Sequence, residues 1–322
     1  MAKIDLITSS SESIARDMSG FAVRVFTHPA IKIIISVWKI NPLKKNSARL
    51  IKKLGIPVKK LYADMRFKGV MKVKLDNKRF NLYNPGYTTI ENEVFWNGSD
   101  GWERISMKLW KQLAKESNCI LDIGANTGVY SLVASTINPD AEVFAFEPVK
   151  RTSSLMLKNL ELNPNLKIKL IEKAVSNEDG VSIFYDVPTE SQYSASLNNE
   201  MLSEISNRIS YDVEVVQLDN FEELANKKID LIKLDVEMHE PEAIEGMINL
   251  IKKNQPTILI EILNSEIGEK VEKLLSDIEY YCFSIDEENE PHHVPKIKES
   301  DFHNLLLIKK ENLHLVNLTL NH

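Results

Sequence analysis

Several acidic side chains stand in this chain at spacings that could do chemistry. Asp122 precedes a turn with two glycines in Ile120-Leu121-Asp122-Ile123-Gly124-Ala125-Asn126-Thr127-Gly128. Glu147 follows the apolar run Val143-Phe144-Ala145-Phe146, 25 residues after Asp122. Asp235, Glu237, His239 and Glu240 follow Ile232-Lys233-Leu234, and Glu261 follows another apolar run from Thr257. If each run is a buried strand, these groups gather at the carboxyl ends of one sheet, where open α/β folds bind ligands. Gly124 would let backbone come close to a ligand, and Gly128 would let the following helix pack tightly.

The pattern also limits the ligand. The dinucleotide fingerprint G-x-G-x-x-G is not met, because Asn126 occupies the position whose glycine admits a pyrophosphate. That argues against a nicotinamide oxidoreductase. S-adenosylmethionine carries no phosphate and has a cationic amino group, which Asp122 could engage directly or through water. Glu147 could accept both ribose hydroxyls, and the segment Lys173-Ala174-Val175-Ser176 falls where an adenine ring would lie. Asp235, Glu237 and His239 then face the sulfonium end. An alcohol is a poor nucleophile at neutral pH, so a base or a metal should help it. Asp235 or Glu237 could orient or deprotonate a hydroxyl. His239, with an ordinary pKa of about 6.5, could do the same. Asp235, Glu237 and Glu261 could instead gather Mg²⁺, a cation that takes oxygen ligands. His292-His293 show no ligand spacing.

The elements that would position these residues are legible from periodicity. Cys119–Ile123, Ala141–Phe146, Ile168–Val175, Ile229–Leu234, Thr257–Ile262, Tyr280–Ser284 and Asn304–Ile308 read as seven strands. Helices are expected over Thr127–Thr136, Lys150–Leu162, Pro241–Lys252 and Ile267–Ile278. The strands are too apolar to face water, which implies a mostly parallel sheet covered on both faces. A hairpin is expected over 66–83, turning at Asp76-Asn77, and a helix over Ile105–Leu113. A further strand, Val181–Asp186, leads into a polar stretch, 187–210, that could cover the site; 286–300 is a second long, acidic loop.

These residues resemble the FkbM-type family of class I S-adenosylmethionine-dependent methyltransferases over roughly residues 100–310. The resemblance is carried by Leu121 to Gly128, Phe146-Glu147-Pro148, Ala174-Val175-Ser176, Leu218-Asp219-Asn220-Phe221 and Ile232 to Gly246. Trp102-Glu103 matches an aromatic–Glu pair found ahead of that family's core. Glycine is frequent in the family where Met238 stands. The resemblance implies a Rossmann-like α/β fold and O-methylation of a hydroxyl, most often on a sugar in a glycan or glycolipid. It implies cofactor contacts at Glu103, Asp122, Gly124, Ala125, Asn126, Thr127, Gly128, Glu147, Pro148, Ala174, Val175 and Asp235. A nucleic-acid methyltransferase, or a cofactor-binding partner protein without turnover, is the alternative.

Composition sets the remaining bounds. Hydrophobic residues make up 43% and charged residues 27%, enough apolar surface for a real core. The longest apolar stretch, Ile31–Ile40, is interrupted by Lys32 and Lys39, too short and too charged to span a bilayer. No signal peptide is expected. The two cysteines cannot frame a small disulfide-bonded fold, and a reducing cytoplasm suits them. Residues 1–60 hold twelve Lys and Arg against three acids, so the net charge of −6 conceals a basic arm of +9 on a body of −15. Such an arm could touch an anionic membrane surface, and the acidic body argues against nucleic acid. The expected divisions are a basic helical arm (1–60), a hairpin and helix (61–118) and a cofactor-binding catalytic domain (119–322). A homodimer is a further expectation.

Overall fold

The computed structural model describes residues 38, 44–53, 65–186, 195–197, 209–298 and 303–319. The chain divides into two compact units, Met1–Gly69 and Val70–His322. In the first, helix α1 (Lys44–Lys53) carries the expected basic pattern, buries Ala48 and leaves Leu50 exposed. The Trp38 indole donates to the Arg66 carbonyl at 3.1 Å. Most of the basic arm lies outside the described residues.

In the second unit, β1 (Gly69–Leu75) and β2 (Lys78–Asn84) form the expected hairpin, with Asp76 left-handed at the turn (φ 52°). Helices α2 (Thr89–Asn97) and α3 (Arg104–Lys115) lead into β3 (Cys119–Ile123). Then come α4 (Val129–Ile137), β4 (Glu142–Phe146), α5 (Lys150–Glu161), β5 (Ile168–Ile171), β6 (Ala174–Val175), β7 (Gly180–Asp186), β8 (Ala195–Ser196) and β9 (Ile209–Val216). The chain continues with β10 (Leu231–Leu234), α6 (Glu240–Glu245), α7 (Ile248–Asn254), β11 (Thr257–Glu261), α8 (Ser265–Leu275), β12 (Tyr281–Ser284), β13 (His292–Val294) and β14 (Asn304–Ile308).

The main sheet runs β13-β12-β14-β11-β10-β3-β4-β5. The strands from β11 to β5 are parallel, and β14 enters antiparallel between β11 and β12. Six of the seven expected strands are present in it, the one expected over 168–175 contributes only β5, and the three-residue β13 is an added edge. Every residue of β3, β10 and β14 is buried, as a doubly covered sheet requires. Chain order reverses at β3: β4 and β5 lie on one side, β10 and β11 on the other. A crevice opens at such a switch point, outside the carboxyl ends of the strands.

Two expectations need correction. The strand expected over 168–175 is two strands in two sheets. β5 pairs with β4 only as far as Phe146↔Ile171. The last bond of that ladder runs from Glu147 N to the Ile171 carbonyl, and beyond it β6 pairs instead with Val215-Val216 of β9. The helix expected over 241–252 is broken into α6 and α7. A Cβ on Gly246 would lie 1.9 Å from the Ser176 carbonyl oxygen, so the chain passes through a backbone contact there.

The second sheet runs β6-β9-β7-β8. The polar stretch expected to cover the site lies largely outside the described residues. The hairpin is docked by side-chain amides. Asn159 accepts from Tyr83 N at 2.8 Å and donates to the Thr127 carbonyl at 2.9 Å, while Asn163 pairs with both backbone groups of Asn81. Asn159 thereby ties the hairpin to the glycine-containing turn.

Candidate active site

The turn between β3 and α4 is built tightly onto the end of the sheet. Gly124 (φ 80°), Asn126 (φ 53°) and Gly128 (φ 85°) are all left-handed. A Cβ on Gly124 would fall 1.7 Å from the Asp235 carbonyl oxygen, so only glycine brings this loop against the end of β10. Four of the loop's five amides are engaged within the protein. Gly124 N and Ala125 N both donate to the Phe146 carbonyl, Asn126 N to Glu147 Oε2 at 2.9 Å, and Gly128 N to the Ala125 carbonyl. Such a loop offers no cradle for a phosphate.

Glu147 closes this arrangement from β4. Its other oxygen accepts from Val149 N at 2.9 Å, so Pro148 and Val149 follow in a fixed turn. Burial raises its pKa to about 7, against the pull of those two amides. A carboxylate has about four lone-pair sites, so two accepted amides leave capacity for ribose hydroxyls. Asp122, 1% exposed, accepts from Ser131 Oγ at 2.5 Å and so anchors the start of α4. Burial raises its pKa to about 6, opposed by Ser131 and Lys233.

Two adjoining cavities meet over this turn. The smaller, about 670 Å³, is lined by Phe146, Glu147, Pro148, Val149, Ala174, Val175 and His239, among others. The larger, about 1090 Å³, is lined by Trp102, Glu103, Asp122, Ala125, Thr127, Tyr130, Lys233 and Glu261. Gly124, Asn126, Asp235 and Glu237 border both. An apolar slot that ends in Glu147, beside a loop with engaged amides, fits an adenosine without phosphates. The acid-rich chamber beyond fits a cationic amino-acid end. These residues suit S-adenosylmethionine.

The charged groups of the larger cavity form one system. Lys233 Nζ lies 3.2 Å from Asp235 Oδ2. Burial alone would strip the Lys233 proton, but Asp235, Glu103 and Glu261 outweigh it and raise its pKa. Burial would raise the Asp235 pKa too, yet Lys233 holds it low. The Glu261 pKa is raised, first by the Asp235 charge and then by burial. The Glu237 pKa is raised by burial and by Asp235 and Glu240. Glu103 begins α3 in a left-handed conformation (φ 45°) and accepts a hydrogen bond from the Tyr130 hydroxyl; burial raises its pKa.

His239 stands apart from this system. Its Nε2 lies 3.0 Å from Ser176 Oγ and its Nδ1 3.5 Å from Glu242 Oε2. Burial lowers its pKa against the pull of Glu242, so the ring is neutral at pH 7 and the Glu242 contact is not an ion pair. Glu240, 0% exposed, accepts from Val236 N and Met238 N and closes the 235–239 turn, where Glu237 (φ 55°) and Met238 (φ 72°) are both left-handed. Glycine at 238 would hold this conformation without strain. Of the three carboxylates considered for Mg²⁺, Asp235, Glu237 and Glu261 all border the larger cavity. Among the described residues no three His, Cys, Asp or Glu side chains are grouped as metal ligands.

All the site residues expected from the sequence therefore line one of the two cavities except Gly128, which lies in the turn between them. Lys233 and Tyr130 were not among them. The signal for Lys233 is a lone lysine inside a wholly apolar strand.

A switch-point crevice of this construction, with a buried acid directly after β4 and a glycine turn closed to phosphate, is that of a class I S-adenosylmethionine-dependent methyltransferase. The chain matches the family described as methyltransferase FkbM domain over residues 122–300 and belongs to it. It is 27% identical over 197 residues to the hexuronic acid methyltransferase AglP of Haloferax volcanii, covering 61% of this chain and 77% of that protein. It is 26% identical over 185 residues to methyltransferase sdnD of Sordaria araneosa, covering 49% and 71%. Among solved structures it is similar to a methyltransferase FkbM from Methylobacillus flagellatus KT, with 15% identity, a TM-score of 0.39, and coverage of 67% of this chain and 52% of that one. No helix among the described residues is long and apolar enough to cross a membrane.

Proposed function

We propose that this methyltransferase acts on a hydroxyl group of a sugar in a glycan or glycolipid. The observation that carries the reading is the junction of the two cavities, where Asp235 and Glu237 stand between the adenosine slot and a chamber walled by Trp102 and Tyr130. An aromatic wall with several carboxylates is the usual chemistry for a polyhydroxylated ring: ring faces stack, and hydroxyls donate to acids. The hexuronic acid methyltransferase relative supports a carbohydrate acceptor. The acid-rich wall disfavours a nucleic-acid backbone.

The cofactor supplies a methyl group on an electrophilic sulfonium. The chain's own residues have to place an oxygen in line with it and receive the hydroxyl proton. Asp235, held ionised by Lys233, accepts and orients the hydroxyl. Glu237 takes the proton: its pKa, raised by burial, makes its ionised form a stronger base than an ordinary carboxylate. The new bond is carbon to oxygen, the broken one carbon to sulfur, and the proton passes from Glu237 to water. His239, held by Ser176 on the adenosine side, is assigned to shaping the 235–239 turn.

The test is release of S-adenosylhomocysteine from a panel of glycosides, uronosides and lipid-linked sugars, with oligonucleotides as controls, in EDTA and in Mg²⁺. Turnover on a sugar, reduced about 100-fold or more in Glu237→Gln and far less in His239→Gln, is expected. Turnover confined to oligonucleotides, or an unaffected Glu237→Gln enzyme, would refute the reading.

A further inference from the structure

Lys233 is a cation where the fold has little use for one. It is the third residue of β10, all four of which are buried, and it is 2% exposed. Strand register sets it beside Asp122 of β3. Alternation puts Asp235 on the same face two residues on, and Glu261 closes β11 on that face. A buried ion pair is rarely a gain for stability over apolar side chains of similar size. Yet this one sits at a cavity wall, with Nζ 3.2 Å from Asp235 and 5.3 Å from the centre of the Tyr130 ring.

The ligand side of the wall explains the lysine. An S-adenosylmethionine molecule ends in one ammonium and one carboxylate. Carboxylates abound in the larger cavity, so the ammonium has partners in plenty. The carboxylate does not. The glycine turn, which could have received an anion on its amides, has Gly124, Ala125, Asn126 and Gly128 engaged with protein acceptors. Among the described residues lining the larger cavity Lys233 alone is cationic. An ammonium has three donors, and Asp235 takes one of them.

We propose that Lys233 binds the α-carboxylate of the cofactor's methionine end, with Asp235 fixing the Lys233 ammonium in place. The inference rests on the cofactor assignment and concerns its amino-acid end alone.

Three probes separate the parts by calorimetry on the full chain. These are S-adenosylhomocysteine, its decarboxylated analogue, and 5′-methylthioadenosine, which lacks the amino-acid end. Wild-type protein is expected to bind S-adenosylhomocysteine at least tenfold more tightly than the decarboxylated analogue. In Lys233→Met that ratio should collapse towards one, while affinity for 5′-methylthioadenosine stays within about twofold. Equal wild-type binding of the first two probes would overturn the proposal and leave the cofactor assignment standing. So would a ratio that survives in Lys233→Met. Failure of all three probes on wild type would overturn both. Should Lys233→Met not fold, Lys233→Gln removes the charge while keeping a polar side chain, and an undiminished ratio there would overturn the proposal.

Discussion

Two residues in the left-handed region show how differently the site treats backbone strain. Gly124 adopts φ 80° with the Asp235 carbonyl where a Cβ would be. Gly124→Ala meets both a conformational penalty and a backbone collision, and we expect it to destabilise the protein by about 2–5 kcal/mol and abolish cofactor binding. Met238 adopts φ 72° with an L side chain. Here Met238→Gly should relieve about 1 kcal/mol, less whatever packing the side chain gave up, whereas Met238→Ile should cost about 1–2 kcal/mol because β-branching resists this conformation. Denaturant unfolding should therefore rank Gly at or above Met, and Ile below. A stable Gly124→Ala or a Met238→Ile variant as stable as wild type would contradict the reading. The acids and glycines were legible in the sequence because each closes an apolar run. Lys233 was not, because a lysine in a strand looks the same whether it faces solvent, a counter-ion or a ligand. Only the neighbouring strands decide.

At the level of elements, the wall of the larger cavity depends on a contact that spans most of the sequence. Glu287, in the acidic loop after β12, accepts from Ile105 N at 2.6 Å, from Ser106 N at 3.3 Å and from the Ser106 hydroxyl. Arg104 returns the contact by donating to the carbonyls of Glu287 and Glu288. A carboxylate on the first amides of a twelve-residue helix satisfies donors that helix geometry leaves unpaired. Because Glu103 immediately precedes these amides, the cap also holds Glu103 against the Tyr130 hydroxyl. Glu287→Ala should cost about 1–3 kcal/mol and speed hydrogen exchange at Ile105 and Ser106. Unchanged exchange there would show that α3 holds its start without the loop. No local pattern announces this cap, since its partner is more than 180 residues away. Helix α2 was missed for a related reason. Glu91 and Asn92 are buried in it, so its inward face carries polar residues and shows no apolar stripe. The parallel strands β3, β4, β10 and β11, by contrast, were legible to within two residues, since a strand covered on both faces has to be apolar almost throughout.

For the whole molecule, the consequence of building a cofactor site from buried acids is a coupling between pH, stability and binding. Burial raises Asp122 to about 6, and Glu147 and Glu240 to about 7. An acid whose pKa is higher in the folded than in the unfolded state binds more protons when folded. Its contribution to stability therefore falls as pH rises from about 4.5, the unfolded value, through the folded value near 7. Each unit of displacement amounts to about 1.4 kcal/mol. His239, lowered by burial, gives the opposite slope below about pH 6.5 and leaves the upper part of the window to the acids. The cofactor-free protein should accordingly lose stability between pH 6.5 and 8, and Glu147→Gln should lose less. Ligand binding must act in the reverse sense. Ribose hydroxyls donating to Glu147, and an ammonium in the acidic chamber, favour the ionised carboxylates, so binding should release protons and affinity for S-adenosylmethionine should rise from pH 6 to 8. Calorimetry in two buffers of different ionisation enthalpy measures the released protons directly. Proton uptake, or an affinity flat across that range in wild type, would mean that these acids are already ionised without ligand and that burial does not govern the site.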